Sequence, residues 1–192
     1  MSFVCSFHFF GKSFLFFRLF CYFCVEIIKV YLRCIVLMCL QFSALSLMGQ
    51  RFSLVQENDS LSFVVLESGE HVDRWQLPYE VYRFCTGDID GNGTDEALVG
   101  VVKSTRFYPS PARRIFVFKN HRGHIRPMWL GSKLGGELID FRLNGNRVRS
   151  FERAPDGSYF VAEYQWRSFG LKFEHYVVKA ETKEKAKEIF NQ

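Results

Sequence analysis

From residue 52 onward, apolar and polar positions alternate over short runs rich in Val, Ile, Phe, Tyr and Trp, and most runs end in Gly, Asn, Asp or Pro. This pattern is typical of β-strands separated by turns. It predicts strands near residues 61–67, 71–77, 80–86, 96–104, 113–119, 123–131, 137–143, 146–153, 158–167 and 170–178. The pattern therefore indicates an all-β domain of antiparallel sheets over residues 51–180.

Two dipeptides predict where hairpins close. Asn144-Gly145 is the stronger signal, because a two-residue primed turn needs positive φ angles that Asn and Gly adopt at little cost. Asp156-Gly157 predicts a second hairpin. The residues before and after each dipeptide are therefore expected to pair as neighbouring strands.

The composition of single strands predicts which faces they bury. The run 115–118 is wholly apolar, which indicates a strand buried on both faces. The strand at 158–167 carries four apolar side chains on one face, namely Phe160, Ala162, Tyr164 and Trp166. The strand at 146–153 has arginines on one face and only Val148 and Ser150 on the other, so we expect it near a sheet edge.

The two ends of the chain differ from this body. Residues 181–192 are charged and helix-prone but too short to form a stable isolated helix, so they are expected as a short helix or a disordered tail. Residues 1–50 hold ten of the 22 Phe and five of the six Cys. The first quarter of the chain therefore differs in composition from the rest, and it is interpreted separately.

Residues 1–50 predict a membrane-targeting segment. Lys29 and Arg33 precede the apolar run 34–40, and small residues follow before Gln50, which is the layout of a secretory signal peptide cleaved after Gly49. An uncleaved inner-membrane anchor is the alternative, although a span needs about 20 apolar residues. Residues 1–26 are hypothesised to be an over-extended start of translation. Either reading exports the body to the periplasm or cell surface.

Residues 88–100 carry the chemistry of a cation site. Oxygen-bearing side chains stand at loop positions 1, 3, 5 and 9, and a backbone carbonyl is available at position 7, as hard cations require. Gly91 and Gly93 permit a tight turn. An EF-hand is excluded, because position 12 is Val99 rather than Glu. The candidate ligands are Asp88, Asp90, Asn92, Thr94 and Glu96.

The same loop runs into the apolar strand 96–102 and so resembles the FG-GAP repeat of integrin-alpha-like or VCBS-type proteins. The resemblance covers about residues 80–119. It implies a β-propeller-like blade with structural Ca²⁺ held by the five candidate ligands, and it implies that Asp95 points outward. The alternative is a loop without metal, in which the carboxylates cap backbone N–H groups.

A closed propeller needs at least about four blades, and residues 51–180 have room for two. We therefore expect two blade-like antiparallel sheets that pack as a compact unit. The remaining thiol of this part, Cys85, is expected to be a small buried hydrophobe.

Charge is unevenly distributed along the body of the chain. Residues 56–96 hold ten acidic side chains against two basic ones, and residues 103–153 hold twelve basic against three acidic. A basic surface for an anionic partner is one interpretation, and neutralisation between adjacent strands is the other. Nucleic acid is not expected as a partner, because export would separate the chain from nucleic acid and the sequence carries no nucleic-acid-recognition motif.

One segment is a candidate for contact with a partner. Residues 106–113 are expected to form a long, proline-stiffened, aromatic and basic loop between two strands. Its candidate partner-binding residues are Arg106, Phe107, Tyr108 and Arg113.

The sequence shows no arrangement of nucleophile, base and orienting residue, and no phosphate-binding loop. No catalytic residue is therefore assigned. The first hypothesis is an exported binding or scaffold domain with a protein or glycan partner. The alternatives are an envelope polysaccharide hydrolase or lyase, which would need a cleft with converging carboxylates, and a membrane-tethered assembly subunit.

Overall fold

The computed structural model describes Lys29, Tyr31, Arg33 and residues 49–106, 108–180 and 182–192. The chain divides into two units, Met1–Met48 and Gly49–Gln192. In the first unit the three described residues are helical, and the rest of the predicted signal or anchor lies outside the described residues. Across the described part of the chain, no helix has the length and apolar character that a membrane crossing requires.

The second unit consists of strands followed by one short helix. The strands and helix are β1 (Arg51–Asn58), β2 (Leu61–Ser68), β3 (His71–Leu77), β4 (Glu80–Gly87), β5 (Glu96–Thr105), β6 (Tyr108–His121), β7 (His124–Leu130), β8 (Glu137–Asn144), β9 (Arg147–Arg153), β10 (Tyr159–Arg167), β11 (Gly170–Ala180) and α1 (Lys183–Asn191). The all-β prediction is confirmed.

The strands form three open antiparallel sheets, in each of which every strand pairs with its neighbour along the chain. We call them the first sheet (β1–β3), the middle sheet (β4–β7) and the third sheet (β8–β11). The expectation of two sheets was wrong, because the predicted strands at 61–67 and 71–77 form a separate sheet with β1, which was not predicted. In β1 only Phe52 and Leu54 alternate clearly before the strand becomes polar, and they pair with Leu66 and Val64 of β2.

The middle sheet lies between two hydrophobic cores. On β6, Phe116 and Phe118 pack with residues of the first sheet, whereas Ile115 and Val117 pack with residues of the third sheet. Successive side chains of a strand point to opposite faces, so a strand covered on both sides must be apolar at every position. The prediction of a strand buried on both faces is confirmed.

The helix α1 covers part of the outer face of the third sheet. Its Ala186 and Phe190 are buried against Phe151 of β9 and Val161 of β10. The charged tail is therefore a packed helix, in which two apolar side chains one turn apart provide the contact. The unit is a stack of three sheets and a helix.

Polar contacts join the sheets at their margins. Asp73 of β3 accepts a 2.7 Å hydrogen bond from the backbone N–H of Ile125 on β7, and this bond lowers the pKa of Asp73. Arg83 of β4 forms a two-pronged ion pair with Asp140 of β8. Each of these contacts fixes an edge strand of one sheet against a strand of the next.

Residues 106–113 do not form the long loop that the sequence predicted. β5 continues to Thr105 and β6 begins at Tyr108, and these two residues pair directly at the tip of the hairpin. The prolines of this segment are tolerated because they lie in its exposed part, where a missing N–H leaves no ladder partner unsatisfied. The candidate partner-binding segment is therefore the end of a strand pair.

β9 lies next to the edge strand β8, but the weak packing from which its position was predicted was wrong. β9 lies inside the third sheet between β8 and β10, and Val148 and Ser150 are fully buried. The arginines on its other face misled the prediction. Arg149 is paired with Glu163 of β10, so that face is an ion-pair network rather than the exposed edge of a sheet.

A glycine allows the middle and third sheets to approach closely. A Cβ atom at Gly100 of β5 would lie 2.6 Å from the Tyr82 ring and 2.9 Å from the Phe141 ring. We expect Gly100→Ala to lower the free energy of unfolding by about 1–3 kcal/mol, because the two rings must shift in a packed core. Urea denaturation of the full chain measures this change. Gly49→Ala is the control, since no atom lies within 4 Å of its Cβ position, and equal stabilities of the two variants would contradict the prediction.

Candidate functional site

The loop that joins β4 to β5 carries the predicted cation ligands. Gly91 and Gly93 adopt φ angles of +79° and +82°, which residues with a Cβ atom rarely adopt. These two glycines turn the chain back so that Asp88 and Asp90 on one side of the loop approach Glu96 at the start of β5. The glycines therefore do in the structure what the sequence predicted.

Asp88 organises the backbone of the loop. Its Oδ1 accepts hydrogen bonds from the N–H groups of Gly91 at 2.7 Å and Asn92 at 3.1 Å, and its Oδ2 accepts one from Gly93 at 2.8 Å. These bonds, of which the one from Gly93 has the largest effect, lower the pKa of Asp88. Asp88 therefore acts as the capping carboxylate of the loop whether or not it also binds a cation.

Three carboxylates converge in this loop. One oxygen from each of Asp88, Asp90 and Glu96 lies within 4.8 Å of the other two. Ca²⁺ binds oxygens at about 2.3–2.6 Å, so two oxygens on opposite sides of one ion can be separated by about twice that distance. The spacing is therefore compatible with a single shared cation.

Glu96 occupies the buried end of this cluster. Its side chain is fully buried, and its Oε2 accepts a 3.1 Å hydrogen bond from the N–H of Ile89. Its Oε1 is buried and accepts no hydrogen bond from any residue that the structure describes. Burial, with a smaller contribution from the neighbouring carboxylates Asp90 and Asp88, raises the pKa of Glu96 to about 7.

The other two predicted ligands, Asn92 and Thr94, are hydrogen-bonded to each other. The side-chain oxygen of Asn92 accepts hydrogen bonds from both the N–H and the hydroxyl group of Thr94. In this arrangement Asn92 closes the turn and would have to rotate to bind a cation.

Asp95 is exposed, and its backbone carbonyl accepts a 2.8 Å hydrogen bond from the side chain of Gln50.

The structure contains a second acidic cluster that the sequence did not suggest. Glu163, Glu174 and His175 bring ligand atoms within 4.8 Å of one another on β10 and β11. Arg149 donates to Glu163 and Arg147 donates to Glu174, so both carboxylates already have cationic partners. The position of Arg147 and Arg149 on one face of β9 was the available signal, and we interpret the cluster as a structural ion-pair network.

The candidate partner-binding residues have separate roles. Arg113 stacks on the Tyr82 ring at 4.6 Å and donates a hydrogen bond to the carbonyl of Ile139 on β8, so it joins the middle and third sheets. Tyr108 is 48% exposed at the tip of the hairpin. Arg106 is exposed beside it, and Phe107 lies outside the described residues.

The thiol of Cys85 is half-buried against the core between the middle and third sheets. Burial raises its pKa to about 11. A thiol in this state is protonated at neutral pH and is a poor nucleophile, so it packs as an apolar group.

Comparison with known proteins leaves the site to be judged on its own geometry. No protein-family model matches the chain, and no curated protein matches it.

The capping role of Asp88 makes a prediction that is independent of any metal. In the presence of EDTA, we expect Asp88→Ala to accelerate amide hydrogen exchange at Gly91, Asn92 and Gly93, because each loses its acceptor. NMR of the labelled full chain measures these rates. Asp95→Ala removes an equal charge from the exposed side of the loop and serves as the control. Unchanged exchange in Asp88→Ala would show that the loop does not depend on this carboxylate.

Proposed function

We propose that this chain is an exported, non-enzymatic binding or scaffold domain whose β4–β5 loop holds a structural Ca²⁺ ion. The resemblance of residues 88–100 to the loop of an FG-GAP repeat supports the proposal, and so does the stacking of blade-like antiparallel sheets. The partner is proposed to be a protein or a glycan outside the cytosol.

The observation that carries the cation site is the unpartnered Oε1 of Glu96. A buried polar atom without a hydrogen bond costs about 1–3 kcal/mol, and more when the group is charged. Capping of the loop accounts for Asp88, but it leaves this oxygen of Glu96 without a donor beside two further carboxylates. A cation at this position would satisfy Glu96 and relieve the repulsion among the three acids.

The donor set favours Ca²⁺ over other metals. The three converging side chains are all carboxylates, and hard cations prefer oxygen ligands whereas softer metals prefer His and Cys. Ca²⁺ takes about six to eight oxygens in a flexible geometry. The carbonyl of Thr94, the side chain of Asn92 after rotation, and water would complete such a set.

The position of the loop indicates a structural role for the ion. It would join Asp88 and Asp90, which follow β4, to Glu96 at the first position of β5. Both strands belong to the middle sheet, against which the other two sheets pack. A cation that binds only the folded state stabilises it by mass action, so Ca²⁺ would stabilise the whole unit.

Calcium titration with matched variants tests this site. We expect CaCl₂ to bind the full chain in isothermal titration calorimetry and to raise its melting temperature. Asp90→Asn should weaken binding by at least about tenfold, because a tenfold change corresponds to only about 1.4 kcal/mol and one charged ligand is lost.

Asp95→Asn is the matched control, since it removes the same charge from a neighbouring exposed residue and should bind Ca²⁺ as the wild type does. The absence of heat with wild type, or equal losses in the two variants, would reject the cation site.

Export has a separate test. We expect Edman sequencing of the native protein, recovered from the envelope fraction of its own cells, to begin near Gln50. A product that begins before the apolar run 34–40 would indicate an uncleaved anchor, which is also consistent with export. Recovery of the chain only from the cytosol would reject export without affecting the cation site.

A further inference from the structure

A cavity of about 450 Å³ lies at the end of the middle sheet, beside the β5–β6 hairpin. This volume falls within the range of about 300–1,000 Å³ that is typical of small-molecule sites. Its walls come from the hairpin and from the segment that follows β7. The lining side chains used below are Thr105, Tyr108, Arg114, Leu130, Ser132 and Lys133.

Arg114 is the unusual group in this cavity. It is 6% exposed, and its buried Nε donates to no acceptor among the residues that the structure describes. Its guanidinium carbon lies 5.7 Å from the centre of the Tyr108 ring, which also lines the cavity. A buried guanidinium normally has a carboxylate or phosphate partner, because its desolvation is costly without one.

The neighbouring Arg113 shows why the two arginines differ. Consecutive residues of a strand point to opposite faces, so Arg113 reaches the carbonyl of Ile139 on β8 while Arg114 lines the cavity. The sheet contact therefore uses one guanidinium, and the other belongs to a side chain that lines the cavity.

Close packing fixes the stem of Arg114. A Cβ atom at Gly131 would lie 2.8 Å from the Cβ of Arg114, so only glycine allows β7 to end against it. The segment after Gly131 is also held in place. The N–H of Gly136 donates a 2.5 Å hydrogen bond to buried Glu152, and that of Gly135 donates to the hydroxyl of Tyr164 at 3.1 Å. The cavity wall is therefore built on two sheets.

The lining has the chemistry of an anion site with a place for a ring. Arg114 and Lys133 supply positive charge, and the described lining contains no carboxylate. Thr105 and Ser132 add hydroxyl groups that can donate hydrogen bonds. Tyr108 and Leu130, each 48% exposed, offer an apolar surface against which the C–H face of a sugar ring can pack.

We propose that this cavity binds a small ring-bearing organic anion, whose carboxylate or phosphate group pairs with Arg114 and Lys133 while its ring lies against Tyr108. Arginine recognises either group through parallel N–H bonds. An acidic sugar is the simplest molecule with these features, and its size fits the cavity.

This site is separate from the proposed cation loop. The loop precedes Glu96, the first residue of β5, and the cavity begins at Thr105, its last residue. A strand rises about 3.4 Å per residue, so roughly 30 Å separates the two sites. Binding in the cavity does not require Ca²⁺, and Asp90→Asn should leave it unchanged.

Titration of the full chain at low salt tests the proposal. The probes are glucuronate, glucose 6-phosphate and neutral glucose, and the readouts are calorimetry and NMR shifts of the residues around the cavity. We expect at least one of the two charged sugars to bind and glucose to bind at least about tenfold more weakly. The two charged probes distinguish carboxylate from phosphate recognition.

Three variants locate the binding. Arg114→Gln should weaken the better charged probe by at least about tenfold, since a charge-assisted pair is lost. Lys133→Gln should weaken it by roughly threefold, because its exposed charge is screened. Arg126→Gln, at an exposed position of β7 outside the cavity lining, is the control and should bind as wild type does.

Several results would overturn the proposal: no binding of either charged sugar, equal binding of glucose and the better charged sugar, or equal affinity in the wild type, Lys133→Gln and Arg114→Gln proteins. Lys133 is exposed, so its variant keeps the proposal testable even if replacement of buried Arg114 disturbs folding.

Discussion

Burial of both faces of β5 and β6 is the constraint on which the rest of the structure depends. Because the first and third sheets cover these strands from either side, their central positions must all be apolar. Charged groups of β5 and β6 therefore lie outside the stretch that both neighbouring sheets cover. Glu96 begins β5 and Arg114 lies where β6 enters the core, and each is a buried charge with an unpartnered atom. The two candidate binding sites therefore lie where β5 and β6 leave the region that is covered by sheets on both sides.

Local chemistry made part of this structure predictable. The apolar run 115–118 fixed the two-sided strand, and the strands on either side of Asn144-Gly145 and Asp156-Gly157 pair as hairpins. Gly145 and Gly157 adopt positive φ angles but Asn144 and Asp156 do not, so the turns differ from the predicted type, in which both residues of the dipeptide have positive φ. The spacing of Asp88, Asp90 and Glu96 predicted that their carboxylates would converge, because the two intervening glycines permit the tight turn that brings them together. These features depend on residues close together in the chain, so a single sequence contains the information.

The remaining features depend on partners that are distant in sequence. Arg149 suggested an exposed position because the sequence does not show that Glu163, on the next strand, is its ion-pair partner. The apolar pattern of β1 is weak, and its residues can be recognised as part of a strand only when their pairing with β2 is known. Prolines suggested a loop at 106–113 although exposed strand ends tolerate them. The role of Arg114 required knowledge of which way each arginine points, and that follows from the exact start of β6 rather than from composition.

The way the strands are connected bears on how the chain acquires its structure. Each strand's backbone ladders run to the strands next to it in sequence, so every ladder closes a short segment, and short closures cost little chain entropy and proceed quickly. As the polypeptide emerges from its N-terminal end, β1–β3 can complete their pairing before β4–β7 follow and cover the inner face of that sheet. The helix α1, which follows β11, then shields part of the outer face of the third sheet, and truncation before it would expose an apolar surface to aggregation.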